Sequence, residues 1–129
     1  MRSRFEARKK RRLAPRAAVD AMGGARAPAE IVRGAVNACS NDCEIALVGR
    51  CEVIRAELAT LGVVESAHLR VVDAPDTVAM DASPSRALRQ RDSSLYRAVE
   101  MVRSGEAQGV VSAGNSGAAM AIALMTLGR

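Results

Sequence analysis

Apolar residues recur along this chain in two rhythms that alternate. Short runs rich in β-branched residues, at 16–20 (RAAVD), 43–49 (CEIALVG), 68–74 (HLRVVDA) and 109–112 (GVVS), read as buried strands. Between them the period lengthens to that of a helix. "APAEIVRGAVNAC" places Ile31, Ala35, Val36 and Cys39 on one face, and Pro28 suits its first turn, where a missing N–H costs nothing. "EVIRAELATLG" reads as a second helix stopped by Gly62. Ser83 and Pro84 fit the cap and first turn of a brief basic helix, and Leu95, Val99 and Val102 share helical spacing in "DSSLYRAVEMVRSGEA". A long apolar helical pattern closes the sequence. Strand, helix, strand, helix, strand requires parallel pairing through right-handed crossovers. The predicted fold class is therefore α/β, a doubly wound and mainly parallel sheet with helices on both faces.

Length and charge refine this picture. The chain has 129 residues, enough for one ordinary domain, with 49% hydrophobic and 26% charged residues, the balance of a globular protein. Aromatic residues are only 2%, which excludes a base-stacking platform or an aromatic sugar cleft. The apolar run 118–127, with Thr126 inside it, is too short to span a bilayer. The net charge of +5 is unevenly spread: residues 1–16 hold eight Lys/Arg and one acid, residues 17–129 eleven Lys/Arg and thirteen acids. The division is thus a basic, disordered arm over 1–16 and an α/β domain over 17–129, with no nucleic-acid partner expected for the domain. A functional arm that binds anionic lipid or nucleic acid is the alternative. Cys39, Cys43 and Cys51 match no zinc spacing and His68 is the single histidine, so reduced cytoplasmic thiols and no metal site are expected.

Three stretches suit an anion. In an open parallel sheet, ligands bind beyond the carboxyl ends of strands, where helix N-termini direct unpaired N–H groups outward. "DAMGGARAP" follows the first strand from Asp20, and Gly23 and Gly24 let backbone N–H groups approach a ligand. It lacks G-x-G-x-x-G and any Lys-Ser/Thr, which weakens dinucleotide and nucleoside-triphosphate readings. "SAGNSGA" follows the last strand: Gly114 and Gly117 permit close approach, Ser112 and Ser116 offer hydroxyls, and the Asn115 amide could donate to a developing oxyanion or simply cap the helix. In "RALRQRDSS", Arg86, Arg89 and Arg91 could clamp a phosphate beside the hydroxyls of Ser93 and Ser94, or form a solvated face. A site for a phosphate-like anion follows from the three together.

"VDAMGG" with Pro28 behind it, "LVG" at 47–49, "DSSL" leading into "AVEMVRSGEA", and "VVSAGNSGAAMAIALMTLGR" in this order resemble the bacterial phosphate acyltransferases of phospholipid synthesis, the PlsX family. The resemblance covers about 17–129. It implies an α/β/α fold related to phosphotransacetylases, and transfer of a fatty acyl group from acyl carrier protein to inorganic phosphate. It also implies a homodimer in the cytoplasm, with peripheral membrane association in some members, and no metal or organic cofactor. On this resemblance Asn115 becomes the catalytic candidate. Asp20, Gly23, Gly24, Arg89, Arg91, Ser93, Ser94, Ser112, Gly114, Ser116 and Gly117 become the phosphate-binding candidates. Ala25 stands where the family usually has an acid, and the basic segment before Asp92 is shorter than usual. Members run to well over twice this length, so the chain reads as an N-terminal portion, expected to be inactive by itself. A phosphotransacetylase-like enzyme acting on acyl-coenzyme A and a non-catalytic anion-binding or nucleic-acid-binding module are the competing readings.

Overall fold

The structure, a computed structural model, describes residues 14–128. Four strands, β1 (Arg16–Asp20), β2 (Glu44–Gly49), β3 (Leu69–Asp73) and β4 (Gly109–Val111), form one sheet in the order β3-β2-β1-β4, every pair parallel. Five helices accompany them: α1 (Ala29–Ala38), α2 (Cys51–Thr60), α3 (Pro84–Arg89), α4 (Ser94–Arg103) and α5 (Ser116–Leu127). The predicted α/β class is observed. Of the basic arm read over 1–16, residues 1–13 lie outside those described; Arg16 already belongs to β1, where its guanidinium meets Glu44 at 2.7 Å.

The strands are apolar because the sheet is covered on both sides. On one side Val19, Ile45, Leu47 and Leu69 pack with Val32 and Ala35 of α1 and Ile54 and Leu58 of α2. On the other, Ala18, Ala46 and Val48 meet Ala98 and Met101 of α4. All six residues of β2 are buried, so its run is continuously apolar after Glu44 rather than alternating. In α1 it is Val32, fully buried, that anchors the helix, while Ile31, Val36 and Cys39 pack around it half-buried. Gly62 does stop the second helix, at a φ of +69° that suits glycine. Ser83 caps α3 by accepting the Arg86 N–H at 3.2 Å, with Pro84 in its first turn, as the sequence predicts.

A third cluster joins α3, α4 and α5 through Ala87, Leu95, Tyr96, Val99, Ala118 and Ile122. It packs α5 against α3 and α4 with its other face outward, leaving Met120, Leu124 and Met125 exposed. No helix among the described residues is long and apolar enough to cross a membrane.

The strand order fixes where a ligand fits. From β1 the chain winds outward through β2 to β3, then returns across the sheet to place β4 on the opposite side of β1. The direction of winding therefore reverses between β1 and β4, the topological switch point beside which open α/β sheets place their ligands.

Candidate functional site at the β1–β4 switch point

The two glycine-bearing loops read from the sequence lie together at this switch point. Gly23 and Gly24 follow β1, and Ala113 and Gly114 follow β4. A Cβ on Gly24 would stand 3.2 Å from the Ala113 carbonyl oxygen, and one on Gly114 would stand 3.2 Å from Gly23 Cα. Glycine suits both positions because the loops touch backbone to backbone, and any side chain there would crowd the opposite loop. Gly24 also adopts a φ of +109°, which other residues rarely tolerate.

Asp20 lies under both loops, 3% exposed. Its Oδ1 accepts hydrogen bonds from the Ser94 hydroxyl at 2.5 Å and the Met22 N–H at 3.1 Å, and its Oδ2 accepts one from the Ser112 hydroxyl at 2.9 Å. Ser112 Oγ in turn accepts the Gly114 N–H at 3.2 Å. One carboxylate thus joins the end of β1, the loop after β4 and the first turn of α4.

The start of α5 supplies the donors. Asn115 is its N-cap, Oδ1 accepting the Ala118 N–H at 3.1 Å. Ser116 and Gly117, in the first turn, are exposed, and their N–H groups have no protein acceptor among the described residues. Gly24 N–H is in the same condition. Three backbone donors without a protein acceptor thus lie on the two touching loops and the first turn of a twelve-residue helix, whose N-terminus carries the positive end of its dipole.

Several candidates occupy other roles than the sequence implied. The Asn115 amide nitrogen donates to the carbonyls of Ala82 at 2.8 Å and Ala79 at 3.1 Å. With its oxygen used by the cap, this side chain has no donor left for an oxyanion in the observed arrangement. It straps the 79–82 turn to α5, a contact that no local sequence signal reveals. Ser93 is fully buried and caps α4 by accepting the Tyr96 N–H at 3.0 Å. Ser94 is 1% exposed and spends its hydroxyl on Asp20. Neither hydroxyl faces solvent, because the start of α4 is tucked beneath β1. Arg91 lies over the Tyr96 ring, 5.7 Å from its centroid, and Arg89 is exposed at the end of α3. Among the described residues neither guanidinium hydrogen-bonds to the two loops.

A neighbouring strand end repeats the carboxylate device with a different partner. Asp73, closing β3, accepts the Cys51 N–H at 3.1 Å and so docks the start of α2. That bond, together with the nearby Cys51 thiol, holds the Asp73 carboxyl below its ordinary value, and the neighbouring Asp73 carboxylate in turn pushes the Cys51 thiol up.

The family follows from comparison with known proteins. Residues 16–129 match the model of a family described as fatty acid synthesis protein. The chain belongs to that family. It is 48% identical over 113 residues to the phosphate acyltransferase of Anaeromyxobacter sp. (strain K), an alignment covering 87% of this chain and 31% of that protein. It is 45% identical over 116 residues to the phosphate acyltransferase of Heliobacterium modesticaldum, covering 88% and 35%, and 46% identical over 114 residues to that of Thermus thermophilus, covering 88% and 34%. Within the fatty acid synthesis family, then, the chain spans about a third of the length of the curated relatives it matches.

Proposed function

We propose that this chain carries the phosphate-binding crevice of a phosphate acyltransferase, an enzyme of lipid synthesis that forms acyl phosphate from inorganic phosphate and a fatty acyl thioester of acyl carrier protein. The observation that carries the reading is the contact, at the β1–β4 switch point, between the Gly23–Gly24 loop and the loop that leads into α5, with the N–H groups of Gly24, Ser116 and Gly117 left without a protein acceptor among the described residues. The names of the relatives support it.

The reaction makes modest demands that this geometry suits. A phosphate oxygen attacks the thioester carbonyl carbon, the carbonyl oxygen gains negative charge, and collapse breaks the C–S bond to release the carrier's thiolate. Fixed N–H dipoles at a helix N-terminus hold the phosphate in line without a metal or organic cofactor. The donors are backbone groups, so no side chain has to reorganise as charge moves. Homodimerisation, a cytoplasmic location and peripheral contact with the membrane complete the proposal for the whole enzyme.

Titrating the isotopically labelled chain with inorganic phosphate tests the crevice. Saturable shifts are expected at the amides of Gly24, Ser116 and Gly117, and shifts confined to other residues, or none, refute it. Incubating the purified chain with phosphate and either an acyl carrier protein thioester or an acyl-coenzyme A thioester tests donor and sufficiency together. Little or no acyl phosphate is expected from these 129 residues alone, and turnover on the coenzyme A donor only would replace the carrier-protein reading.

A further inference from the structure

A negatively charged residue under an anion site is an anomaly that calls for a reason. Asp20 is acceptor-only when ionised, so it repels a bare phosphate oxygen and could meet a phosphate only through the phosphate's own hydroxyl, while both its oxygens already accept from protein donors. Its three observed bonds face other protein groups: the Met22 N–H at the root of the first loop, the Ser112 hydroxyl at the root of the second, and the Ser94 hydroxyl of α4. Gly23 is folded so closely over it that a Cβ there would stand 2.6 Å from Asp20 Oδ2 and 3.0 Å from Ser112 Oγ. By accepting the hydrogen bond of the Ser112 hydroxyl, the carboxylate also orients Ser112 Oγ to accept the Gly114 N–H, which sets the conformation of the second loop.

We infer that Asp20 is a positioning residue of the phosphate crevice, acting through Met22 and Ser112 to hold the two glycine loops in contact, and that it is not itself a phosphate ligand. The inference rests on the phosphate-site reading above. Its geometry explains why a buried charge is kept where charge alone would weaken binding: a carboxylate can accept from both loop roots and from α4 at once, and an amide cannot.

Charge and positioning predict opposite signs for Asp20→Asn, which nearly preserves shape, removes the charge and replaces one acceptor by a donor. If the carboxylate acted through its charge, the variant would bind inorganic phosphate more tightly than the parent chain. Positioning predicts weaker binding, by about tenfold, the low end of what losing an orienting partner costs at a ligand site. Ser112→Ala cuts the link to the second loop with Asp20 intact and is expected to weaken phosphate binding similarly. The double variant should be no weaker than the weaker single, because both act along one path. Affinities are measured by calorimetry well below each variant's thermal midpoint, so a purely structural role would lower the midpoint and leave affinity unchanged. No phosphate binding by the parent chain would overturn the crevice and this inference together. Parent binding with equal or tighter binding by Asp20→Asn would overturn the inference alone. Should Asp20→Asn fail to fold, unchanged affinity in Ser112→Ala would do the same.

Discussion

Valine at position 117 would test whether the first turn of α5 faces an anion or is merely capped. Gly117 is exposed, and a Cβ placed there would meet only Asn115 Oδ1 at 3.5 Å and Pro84 Cγ at 3.8 Å, both ordinary contacts. Nothing in the fold therefore demands glycine. Replacing glycine within a helix lowers the entropy of the unfolded chain, and alanine gains up to about 1 kcal/mol, valine somewhat less because its branched carbon stiffens χ1. In a domain of this size 1 kcal/mol moves the thermal midpoint by about 4 °C, so Gly117→Val should melt at or slightly above the parent temperature. Binding should respond in the other direction. The two γ carbons would crowd the approach to the Ser116 and Gly117 N–H groups, and losing one hydrogen bond to a charged ligand costs about 1.5–3 kcal/mol, or about 10- to 100-fold in affinity. Thermal unfolding and phosphate titration are read on the same preparation. A folded Gly117→Val chain with parental phosphate affinity would refute the reasoning, because the α5 N-terminus would then be shown not to meet the anion.

Asn115→Asp keeps an acceptor for the Ala118 N–H but loses both donors to Ala79 and Ala82, so it should be destabilised by at least about 1 kcal/mol; unfolding at the parental midpoint would show that the cap is all that matters. Gly23→Ala should cost about 1–3 kcal/mol in denaturant unfolding, since its Cβ falls 2.6 Å from Asp20 Oδ2, and a neutral result would contradict the loop packing. Asp73 has a folded-state value below its unfolded one, so its stabilising contribution is complete above about pH 4 and is lost as pH falls through the lower folded value. Asp73→Asn should flatten that acid limb in melting curves taken across it. The same variant should speed alkylation of Cys51, whose thiol Asp73 holds up, and an unchanged rate would count against the contact.

Strand and helix positions were legible because each element's pattern agrees with its burial. β1 coincides with the predicted 16–20, and Ser83 and Gly62 terminate helices where their chemistry says they should. The shift from Ile31 to Val32 as the buried anchor of α1 shows the limit: periodicity gives a face, and packing against β2 chooses which residue on it goes deepest. Strand order was beyond reach of local pattern altogether. Nothing in residues 109–112 says that β4 pairs with β1 rather than continuing beyond β3, yet that choice creates the switch point.

The site was legible as a set of loops and illegible as a set of roles. Sequence reading treats a hydroxyl or amide near a glycine turn as available, because its competitors for hydrogen bonds are distant in the chain. Ser94 meets Asp20 across 74 positions, Ser112 meets Asp20 across 92, and Asn115 meets Ala82 across 33. Each of these side chains was spent on holding the loops before any ligand arrived. The glycines divide by the same logic: Gly23, Gly24 and Gly114 are explained by loop touching loop, whereas Gly117 has room for a side chain and lacks one. What remains beside the exposed Ser116 and Arg89 side chains is backbone, whose N–H groups carry no residue identity for a motif to record. A crevice built this way should tolerate little change in the residues that set its loops, so on the positioning inference Asp20 and Ser112 are where a substitution that touches no phosphate should still weaken binding.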